Sequence, residues 1–139
     1  MARKAVKLTS FGSQSLDSSV FKQRRVSDPG PTARDSLYLD VNGAMFDAAG
    51  SAANTLEPGQ IIECEILVKA SSAANFVTYS GQLLALAGTK ATLTGTDASA
   101  ATITCTARCL PPASETMPAS LRDHWQIFTL QFRTVTNWS

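Results

Sequence analysis

This chain has little of what enzymes use for acid–base or nucleophilic catalysis, and it carries little charge. Its 139 residues include a single histidine, and only 17% of them are charged. A serine or cysteine nucleophile would need that histidine, His124, as its base. Asp123 is its neighbour in sequence and cannot easily form the usual orienting hydrogen bond, and the chain has no G-x-S-x-G elbow. We therefore predict no catalytic site.

Motifs for metals, cofactors and disulfides are missing as well. The three cysteines form no Cys-x-x-Cys pair or Cys/His cluster, and no G-x-x-x-x-G-K-[ST] loop is present, so we expect neither a metal nor a cofactor. Cys105 and Cys109 lie four residues apart on one predicted strand, roughly 13 Å. A disulfide needs Cα atoms within about 7 Å. We predict three free, buried thiols, although Cys64 could face one of the others across a sheet.

Long apolar runs and targeting signals are also lacking. No stretch approaches the ~20 apolar residues that cross a bilayer, and the basic first residues lack the apolar centre of a signal peptide. We expect a protein that is made in a cytoplasm and has no membrane contact. The low charge and the many Ser and Thr residues suit either a subunit that buries its surface against copies of itself or a plain β domain.

The charge that is present is distributed unevenly. Seven of the twelve Lys and Arg residues lie in the first 34 positions, which carry about +5, whereas the remainder carries about −4. Apolar residues are sparse here, and Asp28-Pro29-Gly30-Pro31 ends any regular element. We interpret residues 1–36 as a basic, extended N-terminal arm with a short strand near Ala5–Thr9, and residues 37–139 as a single β-rich domain.

Three roles for this arm remain open. It lies on a neighbouring subunit, it contacts nucleic acid phosphates, or it is a flexible terminus. We favour the first role, because a basic arm complements an acidic body. Its candidate interface residues are Arg3, Lys4, Lys22, Arg24 and Arg25.

The remaining sequence predicts strands joined by recognisable turns. Asn42-Gly43 between Leu37–Val41 and Ala44–Phe46 indicates a β-hairpin, and Glu57-Pro58-Gly59-Gln60 fits a type II turn. Two further strands are expected over Ile61–Lys69 and Trp125–Thr136. The inner face of the first strand comprises Ile62, Cys64, Ile66 and Val68.

The centre of the chain, Phe76–Leu110, predicts one helix followed by a hairpin. The helix covers about residues 72–87, capped by Ser71 or Ser72 and followed by Gly88 in a left-handed conformation. Its apolar stripe contains Phe76, Tyr79, Leu83 and Leu86. Short Thr-rich strands follow, with turn chemistry from Gly95, Asp97 and Ser99.

The segment Pro111–His124 is long for a connection within a compact domain. Its three prolines limit the entropy of the free loop, and its apolar residues lie beside charged ones, as in many interfaces. We predict that this loop contacts an adjacent copy. The residues expected to do so are Met117, Leu121, Arg122 and Trp125.

The order of these elements resembles that of small virion proteins of long-tailed bacteriophages, of the tail-tube, tail-completion and distal-tail type. The resemblance covers roughly residues 60–139: a helix ending LLALAG, a hairpin of TKATLTG and ITCTARCL, and a final aromatic strand, WQIFTLQFRTVTNW. It implies a β-sandwich or small barrel with one flanking helix. It also implies self-assembly into rings with copies of the chain and with neighbouring virion proteins.

Two other classes remain. One is a viral capsid or decoration protein that forms a shell. Small RNA-phage coat proteins have similar lengths, but they end in helices, whereas this chain ends in a strand. The other class is a non-viral, β-rich binding module.

Overall fold

The computed structural model describes residues 3–33, 37–39, 42–47, 56–116 and 124–139. Within these residues the chain forms twelve strands and one helix. In chain order they are β1 (Lys7–Phe11), β2 (Gln14–Ser15), β3 (Phe21–Ser27), β4 (Thr32–Ala33), β5 (Leu37–Leu39), β6 (Met45–Asp47), β7 (Leu56–Glu57), β8 (Ile61–Lys69), α1 (Ala73–Leu84), β9 (Lys90–Thr96), β10 (Thr102–Cys109), β11 (Ala113–Thr116) and β12 (Trp125–Thr134).

Eight of these strands form one antiparallel sheet. Seven follow the order β2-β1-β9-β10-β12-β8-β3, and β11 pairs with β12 beside this path. The pairs β4–β7 and β5–β6 form two separate two-stranded sheets. The predicted fold class, mainly β with one flanking helix, is confirmed.

Strands β1 and β3, which lie next to one end and at the other end of this path, are joined by a side chain. Gln23 of β3 accepts a hydrogen bond from the Leu8 amide through Oε1 (3.0 Å) and donates from Nε2 to the Leu8 carbonyl (2.7 Å). The same Nε2 also contacts the Leu16 carbonyl at 3.3 Å. This side-chain amide takes the place of the peptide group of an adjacent strand, so strands from opposite ends of the path are held together around the inner face.

That inner face is the core. The predicted inward residues of β8 have no exposed surface, and Phe128, Leu130 and Phe132 of β12 are buried opposite them. The ring of Phe132 lies 4.9 Å from that of Phe11, centroid to centroid, so strands distant in sequence meet there. The period-two alternation therefore assigned the inner and outer faces of β8 correctly.

Helix α1 covers the sheet through the predicted stripe. Leu83 is fully buried, while Phe76, Tyr79 and Leu86 pack against the core, with Tyr79 edge-on to Phe21. Ser72 caps the helix by accepting from the Asn75 amide at 3.2 Å. Gly88 has the predicted left-handed backbone (φ +77°), but it follows a further turn beyond the end of α1 at Leu84.

Leu83→Ala should destabilise the protein by about 2–5 kcal/mol, because it leaves a cavity beneath α1. Urea unfolding monitored by circular dichroism measures this loss. Leu84→Ala is the matched control, since Leu84 is half exposed and its truncation should cost well under half as much. Equal losses for the two variants would contradict the observed orientation of the helix.

The strand predicted near Ala5–Thr9 is present as β1 (Lys7–Phe11), but the extended arm predicted after it is wrong as far as Ser27. β1 pairs with β9, and β3 pairs with β8, so this segment supplies both ends of the sheet. Apolar residues are sparse in it because each strand buries only one face. Those present nevertheless reach the core, where Ala5, Leu8, Phe11, Leu16 and Phe21 are buried.

Two of the predicted turns differ in detail. Gly95 lies within β9 and not in the turn. Glycine is needed at this position because a Cβ would lie 2.5 Å from the Lys7 carbonyl oxygen of the adjacent strand. Asp97 does organise the turn, accepting from the Ser99 hydroxyl and the Ala101 amide. The first of these bonds is the main cause of a lowered Asp97 pKa.

The predicted Asn42-Gly43 hairpin also differs from the observed one. In the β5–β6 hairpin Leu39 faces Met45, so the loop between the two strands is longer than the two residues Asn42-Gly43.

The long connection after Leu110 is shorter than predicted. Ala113–Thr116 forms β11, which pairs with β12 from Thr129 to Gln126. Pairing was missed because Pro111 and Pro112 directly precede this strand. Residues 117–123 lie outside the described part of the chain.

Both ends of the described chain meet at one carboxylate. Asp28 Oδ2 accepts from the Ala5 amide and from the indole Nε1 of Trp138, each at 2.8 Å, and its Oδ1 accepts from the Gly30 amide at 2.9 Å. Ser139 exchanges backbone hydrogen bonds with Thr104. Asp28 therefore holds the first and last segments against the sheet.

Candidate functional site

The predicted basic residues of β3 lie on the outer face of the sheet. A β-bulge places one extra residue, Arg24, between Gln23 opposite Ile66 and Arg25 opposite Glu65. Both arginines consequently point to solvent in succession, while Gln23 turns toward β1.

These arginines contact carboxylates of their own chain. Arg24 Nη1 lies 3.4 Å from Glu65 Oε1, and Arg25 Nη2 lies 2.9 Å from Glu63 Oε1. Lys7 Nζ similarly lies 2.6 Å from Asp17 Oδ2. At least half of each basic side chain is exposed, so each pair contributes under ~1 kcal/mol. The charge separation seen along the sequence is thus partly neutralised within one molecule.

A cleft of about 270 Å³ opens between β1 and β3 beside these pairs. Its polar side chains already have partners, since Lys7 pairs with Asp17 across the cleft, Gln23 bonds to the Leu8 backbone, and the two arginines pair with carboxylates of β8. Neither a histidine nor a cysteine lines it. The lining residues are Val6, Lys7, Asp17, Gln23, Arg24, Arg25 and Val26.

The other predicted interface residues are not brought together into one site. Arg3, Lys4 and Lys22 are exposed, and the aliphatic part of Lys4 lies over Gly30. Trp125 begins β12, where Lys69 Nζ stands 4.6 Å from the centre of its ring. The three remaining residues, Met117, Leu121 and Arg122, lie outside the described residues.

The outer face of α1 exposes two apolar side chains, which the sequence analysis did not single out. Residues 70–89 contain no charged side chain. Val77 is 68% exposed and Leu84 is 50% exposed, and both lie on the side turned away from the core. An apolar repeat at i, i+4 and i+7 through Val77, Gly81 and Leu84 could have revealed this second stripe.

Gly81 sits in the middle of that outer face. A Cβ added there would meet nothing within 4 Å. Glycine in a helix interior costs about 1 kcal/mol relative to alanine. The described fold therefore gives no reason for a glycine at this position.

The three thiols are free and buried, as predicted. Burial raises the pKa of Cys64 and of Cys105 to about 12 and that of Cys109 to about 11. The thiolate is the reactive form of cysteine. These groups therefore belong to the core and are poor nucleophiles at neutral pH.

A thiol reagent should label no native cysteine at pH 8 and three per chain in denaturant. Unfolded thiols ionise near pH 9.0, whereas the folded ones stay protonated to about pH 11 or 12. Their contribution to stability is therefore complete below pH 9 and is lost progressively above it. Urea unfolding at pH 8 and pH 10 measures that loss.

In the labelling experiment, Ala98→Cys on an exposed turn is the positive control. Rapid labelling of the native, unsubstituted chain would contradict the burial of the three thiols.

Features of metal sites and of membrane spans are missing from the described residues. Among them, no group of three or more His, Cys, Asp or Glu side chains is placed to hold a metal ion. In the same part of the chain, no helix is both long and apolar enough to span a membrane.

Comparison with protein families, with curated proteins and with solved structures finds no match to this chain. The roles of the residues described above therefore rest on the sequence and structure of this chain alone.

Proposed function

We propose that this chain is a structural subunit of a bacteriophage virion that assembles with copies of itself into a ring or tube, in the tail or the head–tail region. The sequence resemblance over residues 60–139 supports the viral assignment. The observation that carries self-assembly is the β5–β6 hairpin, which pairs apart from the main sheet.

A two-stranded hairpin is only marginally stable in water by itself. β5 and β6 read LYL and MFD, so five of their six residues are apolar or aromatic. Such a hairpin gains stability when a second surface covers it. In the proposed ring the neighbouring copy supplies such a surface.

The outer face of the β9–β10 hairpin supports the same function. Three cross-strand pairs of threonines lie there, because Thr96 faces Thr102, Thr94 faces Thr104 and Thr92 faces Thr106. Charged residues are depleted from the centres of protein interfaces. A face of hydroxyl groups can be covered by another subunit without burying an unpaired charge.

Sedimentation and negative-stain microscopy of the purified full-length chain test this function. Rings or tubes are the expected result. Closed shells would favour a capsid or decoration role, and a monomer at every concentration would contradict self-assembly.

A hairpin variant tests the carrying observation. Replacing residues 37–47 by a short Gly-Ser linker should abolish rings while leaving the far-ultraviolet spectrum of the main sheet. In the control, Ala98→Gly changes the exposed β9–β10 turn, and rings should persist. Normal rings from the variant without the hairpin would exclude β5–β6 from the contact.

A further inference from the structure

We propose that the sheet opens along the line where β1 and β3 face each other, and that the side chain of Gln23 is the latch that keeps this line closed. We call this line the seam; residues 5–8 form one side of it and residues 23–28 the other. Opening separates the two sides while the backbone ladders of the rest of the sheet stay paired. The inference does not depend on the proposed function.

The way in which the seam is held together is the first observation. Neighbouring strands along the sheet path are joined by backbone ladders, as β8 is to β12 along its whole length. In the described residues no backbone hydrogen bond joins β1 to β3. Gln23 instead bonds to the amide and the carbonyl of Leu8, and Asp28 accepts from the Ala5 amide. Two side chains therefore take the place of a ladder.

An open gap lies between these two ties. It is the cleft of about 270 Å³, in which Val6 and Lys7 face Arg24, Arg25 and Val26. Protein interiors are close-packed, so a gap of this size shows that the two strands stand apart. Val6 is 56% exposed, so solvent reaches the seam. Polar groups that are released by opening are hydrated at once, which lowers the cost of breaking their bonds.

Irregular pairing beside the latch is the second observation, and it is independent of the first. The β1–β9 pairing has one extra residue, Thr9, directly after Leu8. The β3–β8 pairing has one extra residue, Arg24, directly after Gln23. A β-bulge interrupts a ladder and bends its strand. Both strands can therefore bend where the latch joins them, without losing the ladders that hold them to the sheet.

The thiol of Cys64 lies beneath the seam and can report its opening. Cys64 is fully buried and faces Val26 in the β3–β8 pairing. Burial is the main cause of its raised pKa, and the charge of Asp17, which lines the cleft, raises this pKa further. Cys105 and Cys109 lie on β10, in the middle of the sheet path. Opening of the seam should therefore expose Cys64 before the other two thiols.

Alkylation in urea is the direct test. The full-length chain is treated in urea below its main unfolding transition, where local opening is more frequent than global unfolding. Each rate is divided by that of the same thiol in full denaturant, and peptide mapping identifies the labelled residue. Cys64 should then react at least about tenfold faster than Cys105 and Cys109. Equal rates would mean that global unfolding exposes all three together, and would overturn the proposal.

Gln23→Leu against Gln131→Leu tests the latch. Gln131 also bonds across two strands, to Glu63 at 3.3 Å, but a backbone ladder joins those strands. Relative to the other two thiols of the same variant, Cys64 should react at least about tenfold faster with Gln23→Leu and less than about twofold faster with Gln131→Leu. This ratio corrects for any loss of global stability. Equal ratios in the two variants would contradict the role of Gln23.

Hydrogen exchange shows whether the seam opens as a unit. The Ala5 amide is held by Asp28 and not by Gln23, so it belongs to the other tie. Gln23→Leu should accelerate exchange of this amide by the same factor as alkylation of Cys64, while amides of the β8–β12 ladder exchange only by global unfolding. An unchanged Ala5 amide would mean that the two ties break separately, which would overturn opening of the whole seam.

A covalent bridge across the cleft should have the opposite effect. In the double variant Val6→Cys, Val26→Cys, a short bifunctional thiol reagent joins the two walls, and the native thiols are buried from it. The bridged protein should lose the early alkylation of Cys64 in urea. The same variant with its two new thiols capped separately should keep it. Early alkylation of Cys64 in the bridged protein would overturn the proposal.

Discussion

Deleting residues 1–30 is expected to unfold the protein. The deletion removes β1, β2 and β3, and with them both ends of the closed sheet. Leu8, Phe11, Leu16 and Phe21 are at most 5% exposed. Burial of such side chains stabilises by about 1.5–3 kcal/mol each, so four of them approach the ~5–15 kcal/mol of a whole domain. Circular dichroism and the dispersion of amide resonances would report the loss.

A shorter deletion serves as the control. Removing residues 1–4 takes away the exposed Arg3 and Lys4 and leaves Ala5, whose amide bonds to Asp28. This variant should fold with nearly unchanged stability. If residues 31–139 instead unfolded cooperatively with a midpoint close to that of the full chain, the N-terminal strands would be dispensable, and the predicted division into arm and domain would be right.

Asp28→Ala is expected to cost about 3–5 kcal/mol. Its carboxylate accepts three hydrogen bonds from Ala5, Gly30 and Trp138. All three of these residues are buried, and each donor left without a partner costs roughly 1–3 kcal/mol. Urea unfolding by tryptophan fluorescence would measure the change, since one of the two indoles lies at this site.

Asp17→Ala is the matched control for Asp28→Ala. Asp17 forms its ion pair with the half-exposed Lys7, so its loss should cost under ~1 kcal/mol. Trp138→Phe removes one donor and keeps most of the ring, at about 1 kcal/mol. In the double variant Asp28→Ala, Trp138→Phe the costs should not add, because both remove the same bond. Similar losses of unfolding free energy from Asp17→Ala and Asp28→Ala would contradict the role of Asp28 in holding the two ends of the chain.

The N-terminal segment shows why composition misled the interpretation of the first 36 residues. Seven cations and few apolar residues are typical of an arm, yet one buried residue in every two or three is enough for an edge strand. Arg24 and Arg25 form ion pairs with Glu65 and Glu63 only because β3 pairs with β8, which lies more than thirty residues further along the chain. Local charge patterns carry no information about such pairing.

The outer face of α1 shows the opposite case, in which the signal was present and not used. The stripe through Phe76 and Leu83 accounted for one side of the helix, and Val77, Gly81 and Leu84 repeat with the same spacing on another. Their meaning depends on which stripe the sheet covers. Periodicity alone shows two apolar stripes, and only packing leaves one of them in water.

The sequence by itself determined the elements whose signals are local. α1 follows from helical spacing and the Ser72 cap, and the inner face of β8 follows from strict alternation. The buried free thiols follow from the same alternation and the distance along a strand. Tertiary structure decided which strands meet. It also decided three features that depend on such meetings: the closure of the sheet through Gln23, the need for glycine at position 95, and the joining of both chain ends at Asp28. These depend on contacts between residues far apart in sequence, which loop-closure entropy and the burial of the whole core select together.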